Sequence, residues 1–155
     1  MIVFKKGFSL VEVLVFVTIL SLFFVAAVTI TTFNLRNLKV QEHKILATRY
    51  AEEAIEWVKQ EKEDGWQDQP PSTIGFSSRD TSTESGTKYC LNTLSWTSGL
   101  CTTYSLGTPA FLKRDLIITN SGNPVNKIIT ELTVSWLENI IVQKVVLKSV
   151  FNLLE

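Results

Sequence analysis

Glu12 is the residue of this chain that most needs a chemical explanation. It is the only charged residue in a run of 21 residues that extends from Phe8 to Val28. A helix of this length rises about 31 Å, which is enough to cross the hydrocarbon core of a bilayer. A charge within such a span costs roughly 2.5–3.5 kcal/mol, so the carboxylate needs a partner that neutralises it. No other side chain of the run can supply that partner.

Cys90 and Cys101 are the only cysteines of the chain, with ten residues between them. If the apolar N-terminal run exports the rest of the chain, both thiols reach an oxidising compartment and are expected to form a disulfide. The chain-entropy model gives about 3 kcal/mol for a loop of this size. The alternative is a pair of free thiols in a reducing cytosol. A zinc site is disfavoured, because these cysteines and a distant His43 are too few ligands.

The remaining polar residues do not form a catalytic pattern. His43 is the only histidine, and its charged neighbours predict a solvent-exposed helix face. The acidic cluster in 52–64 is interleaved with lysines at i,i+3 and i,i+4, which favours a solvated or subunit-facing surface over a metal site. No glycine-rich phosphate loop or nucleophile motif is present in the sequence. We therefore expect no catalytic residue, no metal and no cofactor, and the zero net charge gives no reason to expect nucleic-acid binding.

One long helix is predicted to carry Glu12. Neither proline nor glycine occurs in residues 8–64, and Gly65 is a suitable stop. Residues 8–33 are apolar on all sides, which predicts a transmembrane or filament-core half. Residues 34–64 are amphipathic, with apolar residues at spacings of three and four. The apolar positions of this second half are Leu35, Leu38, Ile45, Leu46, Ala47, Ala51, Ala54, Ile55 and Val58.

Residues 65–155 are predicted to form a globular head. Its first part, 66–106, is a Ser/Thr-rich loop broken by Pro70-Pro71, with short strands expected around 88–92 and 101–105. Its second part, 111–153, alternates between apolar and polar residues as three antiparallel strands do, with a two-residue turn at Glu138-Asn139. The first of these strands is expected to place Leu112, Leu116 and Ile118 on one face. The fold class is therefore α+β, with the second half of the long helix packed on a small antiparallel sheet.

The stretch around Glu12 resembles the class III signal of type IV prepilins and pseudopilins. In that family a basic leader ends in Gly and is followed by Phe, with an acid at the fifth mature position. Lys5, Lys6, Gly7, Phe8 and Glu12 match this pattern. The resemblance implies cleavage between Gly7 and Phe8 by prepilin peptidase, N-methylation of Phe8, and pairing of Glu12 with the N-terminal amine of a neighbouring subunit. Within one helix, residue 12 lies about 6 Å along the axis from residue 8, so an intramolecular pair can precede assembly.

The resemblance makes residues 1–7 a leader and predicts a minor pilin of a type IV filament. The implied partners are other pilin subunits, prepilin peptidase and an inner-membrane assembly platform. The implied location is the bacterial inner membrane, with one span and the head outside, and then a cell-surface filament or pseudopilus. The minor class is favoured because 8–33 lacks the Gly or Pro of many major pilins and because the cysteines lie far from the C-terminus.

Four alternatives stay open at the level of sequence. A pseudopilin of a type II secretion system carries the same signal. A single-pass anchored binding domain that never polymerises would explain the apolar length but not the acid. A secretory signal peptide cleaved near Val25-Ala26-Ala27 would release an exported enzyme, although the apolar run is longer than such peptides normally have. A plain signal anchor would also account for the run.

Overall fold

The computed structural model describes residues 9–67, 74–81, 85–122, 124–138 and 140–153. The chain separates into two compact units, Met1–Gln41 and Glu42–Glu155. The predicted cleavage site and the Pro70-Pro71 break lie outside the described residues.

Helix α1 runs from Leu10 to Asp64 and ends, as predicted, immediately before Gly65. Among the described residues it is the one helix that is long and apolar enough to cross a membrane, and its most apolar window has no buried residue. Its few hydroxyl groups are satisfied within the helix. For example, the hydroxyls of Thr29 and Thr32 donate to carbonyls one turn earlier, at 2.8 Å. The first half of the helix therefore presents an apolar surface with no unpaired hydroxyl among these residues.

Within the second unit, α1 buries a narrow stripe of small and β-branched side chains against the sheet. The buried residues are Ala47, Ala51, Ala54, Ile55 and Val58. The alanines allow the helix backbone to approach the sheet closely. Ile45, another apolar position of this half, is not part of the stripe and is 58% exposed. Ile45 lies about 200° around the helix from Ala47, so it faces away from the stripe.

The sheet has five antiparallel strands in the order β2-β1-β3-β4-β5. Their bounds are Thr87–Cys90 for β1, Thr97–Ser98 for β2, Leu112–Ser121 for β3, Lys127–Glu138 for β4 and Ile141–Asn152 for β5. The expected strand around 88–92 corresponds to β1. The prediction of a strand at 101–105 was wrong. These residues lie outside the strands, and β2 forms earlier, at 97–98. The two edges of the sheet are consequently very different, with two residues in β2 and twelve in β5.

The core lies between the buried stripe of α1 and one face of this sheet. Alternate residues of β3 and β4 point into it, as the period of two in the sequence predicted. The buried members include Leu112, Leu116, Ile118, Ile128, Leu132, Val134, Trp136 and, from β5, Phe151. The predicted α+β fold, a long helix packed on an antiparallel sheet, is confirmed.

The turn between β4 and β5 lies one residue later than predicted. Glu138 is the last residue of β4 and pairs with Ile141, the first residue of β5. The turn therefore comprises positions 139 and 140, and Asn139 is outside the described residues. Ile140 has a φ of 78°, in the left-handed region. Glu138 is paired within the strand, and its side chain contacts His43 and Trp136, as described below.

Candidate functional site

Glu12 lies in the first turn of α1, two residues after the helix begins. A carboxylate at this position interacts favourably with the partial positive charge of the helix N-terminus. The helix is already hydrogen-bonded here, since the Val13 amide donates to the Ser9 carbonyl at 3.2 Å. The acid is thus held on a regular helix rather than in a flexible tail.

The surroundings of Glu12 on its own helix are apolar and exposed. Leu10, Val11 and Val13 are between 50% and 80% exposed. The next charged residue along the helix is Arg36, 24 residues later. At helical rise this is about 36 Å away, far beyond the reach of a side chain. No side chain of α1 can therefore neutralise Glu12, and the other predicted residues of this site, Lys5, Lys6, Gly7 and Phe8, lie outside the described residues.

Arg114 forms a buried polar centre in the head that the sequence analysis missed. Its side chain is 1% exposed, although it lies on the core face of β3. Nε and Nη2 donate to the Leu91 carbonyl at 3.0 and 2.8 Å. Nη1 donates to the Tyr50 carbonyl at 2.7 Å and to the Glu53 carboxylate at 2.9 Å. One guanidinium therefore joins helix α1, strand β3 and the loop after β1.

The electrostatics of Arg114 follow from its burial. Desolvation lowers the pKa of the guanidinium, while the hydrogen bond and charge of Glu53 act in the opposite direction. Glu53 is 52% exposed on its side chain, so it remains partly hydrated while it balances the buried cation. The arrangement fixes the helix on the sheet and offers no free group for chemistry.

His43 is not on a solvated face, and that prediction was wrong. Its Nδ1 lies 2.9 Å from Oε2 of Glu138, and its ring lies 4.5 Å from that of Phe111. The Trp136 indole N–H donates to the same carboxylate oxygen at 3.1 Å. His43 precedes Ala47 by four residues and so lies on the buried stripe of α1. Glu138 thereby fastens the end of the β4–β5 hairpin to the first turn of the second unit.

A disulfide joins Cys90, at the end of β1, to Cys101, in the loop after β2, with 4.7 Å between their Cα atoms. The Cys101 amide donates to the Asp115 carboxylate at 2.6 Å, and Lys113 donates to the Cys101 carbonyl at 3.1 Å. The bridge and these two bonds hold the loop against β3. This is a structural role, because a bridged cysteine has no thiol to act as a nucleophile.

The described residues contain no group of three or more His, Cys, Asp and Glu side chains arranged to hold a metal ion. Tyr89 is the other described residue of the head whose pKa is shifted. Burial raises it, and its hydroxyl donates to the Arg79 carbonyl at 2.6 Å. Both shifted groups, Tyr89 and Arg114, are engaged in the packing of the head.

Comparison with known proteins identifies the N-terminal segment. Residues 4–28 match the family model of the prokaryotic N-terminal methylation motif. No curated protein and no solved structure matches the chain. The matched segment contains Lys5, Lys6, Gly7, Phe8 and Glu12, and it extends along the apolar half of α1. The chain therefore carries, at its N-terminus, the class III prepilin signal of type IV pilins and pseudopilins.

Proposed function

We propose that this protein is a minor pilin, a structural subunit that enters a type IV filament through its N-terminal helix. The prepilin motif and the helix-on-sheet fold indicate a structural subunit rather than an enzyme. The motif also implies processing by prepilin peptidase and assembly with other pilins. Together with the apolar helix it indicates membrane anchoring followed by incorporation into a filament.

The observation that carries this proposal is the isolation of Glu12. It sits on an apolar helical surface, and no cationic side chain of its own helix is within reach. Cleavage between Gly7 and Phe8 creates an amine at the same end of the helix. That amine and the carboxylate are opposite charges, and each is costly alone in a low-dielectric setting. Pairing first within the chain and then with a neighbouring subunit would satisfy both and would fix the axial register between subunits.

The proposed organisation follows the chemistry of the chain. Residues 1–7 are the leader, recognised in part through Lys5 and Lys6. Residues 8–33 span the inner membrane once and later form part of the filament core. Residues 34–64 lead into the head, 65–155, which lies outside the cytoplasm. The disulfide supports this placement, because disulfides persist in oxidising compartments.

A minor pilin is preferred to a major pilin for two reasons. Residues 8–33 contain no glycine or proline, so nothing in the sequence favours local melting of the helix within a filament. The Cys90–Cys101 bridge closes a loop that contains β2 rather than one near the C-terminus. A pseudopilin of a secretion system shares the signal, and purification of the subunit with surface filaments would distinguish the pilus from the pseudopilus.

Mass spectrometry of the mature N-terminus tests the processing step. We expect the native protein to begin at an N-methylated Phe8. A Gly7→Leu variant should keep its leader and stay out of filaments. A wild-type chain that begins at Met1, or at a position near Val28, would overturn the proposal.

The role of Glu12 has its own test. Glu12→Ala should leave membrane insertion intact or improved, because it removes a charge from the span. The same change should impair incorporation into filaments, measured as the share of the subunit in sheared filament preparations. Glu52→Ala provides a matched control, since Glu52 is an exposed acid of the same helix within the head. If the Glu12→Ala subunit enters filaments as the wild type does, Glu12 has no role in assembly.

A further inference from the structure

The end of the β4–β5 hairpin is an exposed apolar surface that nothing in the described structure covers. It consists of Leu137, Ile140, Ile141 and Val142, which we call the hairpin tip. These side chains are 56%, 93%, 64% and 58% exposed, respectively. Four exposed large apolar side chains around one turn, interrupted by Glu138 and Asn139, are more than a soluble head needs at that point.

Ile140 is an unusual residue for its backbone conformation. Its φ of 78° lies in the left-handed region, where glycine and asparagine are favoured and β-branched residues are genuine outliers. Two-residue hairpin turns of this kind normally have glycine at the second position. Among the described residues, the most exposed large apolar side chain thus lies where the backbone disfavours it, which points to a use for the side chain itself.

The hairpin tip lies next to His43, at the start of the second unit. Glu138, next to the turn, bonds to His43 in the first turn of the second unit. His43 follows Phe33, the last aromatic residue of the apolar segment, by only ten positions. Even when fully extended, a chain of that length spans about 36 Å at most, so His43 stays within that distance of the apolar segment.

The charges near this end suit an anionic lipid surface. In the second unit, Lys44 and Arg49 are exposed on α1 within six residues of His43, and Glu42 is the one acid of residues 42–50. Lys144 is exposed on β5, close to the tip in sequence, whereas Glu138 is already engaged by His43 and Trp136. Basic residues around an apolar surface are the usual signature of peripheral contact with anionic headgroups. A protein partner is less well matched, because a stable interface uses roughly 20–30 residues on each side and the tip offers four.

We propose that, before assembly, the hairpin tip inserts Ile140 and its apolar neighbours into the surface of the membrane that holds the N-terminal helix. This inference rests on the proposed function, since it requires the helix to anchor the chain. The tip gives the head a second point of contact with the bilayer. Removal of the subunit from the membrane during assembly then breaks both contacts, and the head is free to pack elsewhere.

The test uses the full chain reconstituted in vesicles of phosphatidylcholine and phosphatidylglycerol. Both native cysteines are in the disulfide, so a single added cysteine carries a unique fluorophore. Ile141→Cys places it in the hairpin tip. Ile74→Cys is the matched control, because Ile74 is 55% exposed and lies near the other end of the second unit's helix, where Phe76 bonds to Gly65.

Quenching by nitroxide-labelled lipid is the measurement. We expect strong quenching of the label at 141 and little at 74. Adding Ile140→Asn should reduce the quenching at 141 to the level at 74. The same change should raise the melting temperature of the head by about 5 °C, because asparagine suits a positive φ. If Ile140→Asn lowers the quenching without lowering the melting temperature of the head, unfolding cannot explain the loss of quenching.

Several outcomes would overturn the inference. A chain that floats with the vesicles but shows equal quenching at 141 and 74 would refute contact between tip and lipid and leave the anchor intact. Quenching that Ile140→Asn does not change would refute the role of Ile140. If the quenching at 141 disappears when each vesicle holds one chain, the tip contacts a neighbouring protein rather than lipid. A chain that fails to float would refute membrane anchoring itself, and with it the contact of the tip.

Discussion

Removing Arg114 should destabilise the head more than any other single loss of charge. The guanidinium is 1% exposed and donates four hydrogen bonds, two to Leu91, one to Tyr50 and one to Glu53. The Leu91 carbonyl retains one other donor, the Leu94 amide, at 3.1 Å. The loss therefore falls mainly on the connection between helix and sheet and on the space that the side chain fills.

These contacts set the expected loss in the free energy of unfolding when Arg114 is replaced. Hydrogen bonds to a charged group contribute about 1.5–3 kcal/mol each, but they are not additive within one network, and part of the gain offsets the cost of burying the cation. Breaking a buried ion pair from one side costs about 3–5 kcal/mol, and Arg114→Ala should fall in that range. For a unit of this size the melting temperature should fall by roughly 10–25 °C. Arg114→Met keeps most of the volume and should lose only about 1–3 kcal/mol.

Unfolding followed by tryptophan fluorescence in detergent is a suitable assay. Every tryptophan lies in the second unit, at Trp57, Trp66, Trp96 and Trp136. Glu53→Gln should cost about 1 kcal/mol, because the carboxylate is half exposed and the amide still accepts a hydrogen bond. Lys148→Ala is the matched control. It breaks a surface pair with Glu131 and should change stability by less than about 1 kcal/mol. An Arg114→Met protein as stable as the wild type would refute the reasoning.

Three further predictions concern the head. Because burial raises the pKa of Tyr89, the folded state holds this proton more tightly than the unfolded chain. The melting temperature should therefore fall as the pH rises above about 10, and more steeply in the wild type than in Tyr89→Phe; equal slopes would contradict this. Replacing Cys90 and Cys101 together by alanine should cost about 2–4 kcal/mol under non-reducing conditions, and an unchanged urea midpoint would show that the bridge does not stabilise the head. A double-mutant cycle of His43→Ala and Glu138→Gln should give a coupling of about 1 kcal/mol, whereas zero coupling would mean that the 2.9 Å contact contributes nothing.

The helix and the sheet could be predicted from the sequence because their signals are local. An uninterrupted run without glycine or proline sets α1, and Gly65 marks its end. Alternation of apolar residues sets β3, β4 and β5. The same local signals are sufficient to place Arg114 and His43 on core-facing positions. Arg114 has the parity of Leu112 and Leu116, and His43 lies four residues before Ala47, so both positions face the core.

The partners of these residues could not be predicted, because they lie far away in sequence. Glu53 is 61 residues from Arg114, and Glu138 is 95 residues from His43. No pattern within one element indicates which acid a distant strand will bring to a basic residue. The two-residue strand β2 was missed for a related reason. Its position is set by pairing with β1, and two residues are too few to show alternation.

The unequal edges of the sheet determine where another strand could add to it. β2 offers only two residues, and the disulfide-held loop follows it directly, so that side gives almost no template for backbone pairing. β5 offers twelve, with one row of N–H and C=O groups facing away from β4. Lys144 and Lys148 project from this strand, and charged side chains of this kind discourage edge-to-edge association. The short β2 edge therefore resists the addition of another strand because it offers few backbone groups, and the β5 edge resists it because of its two lysines. Replacing both lysines by neutral residues should therefore allow aggregation through the β5 edge.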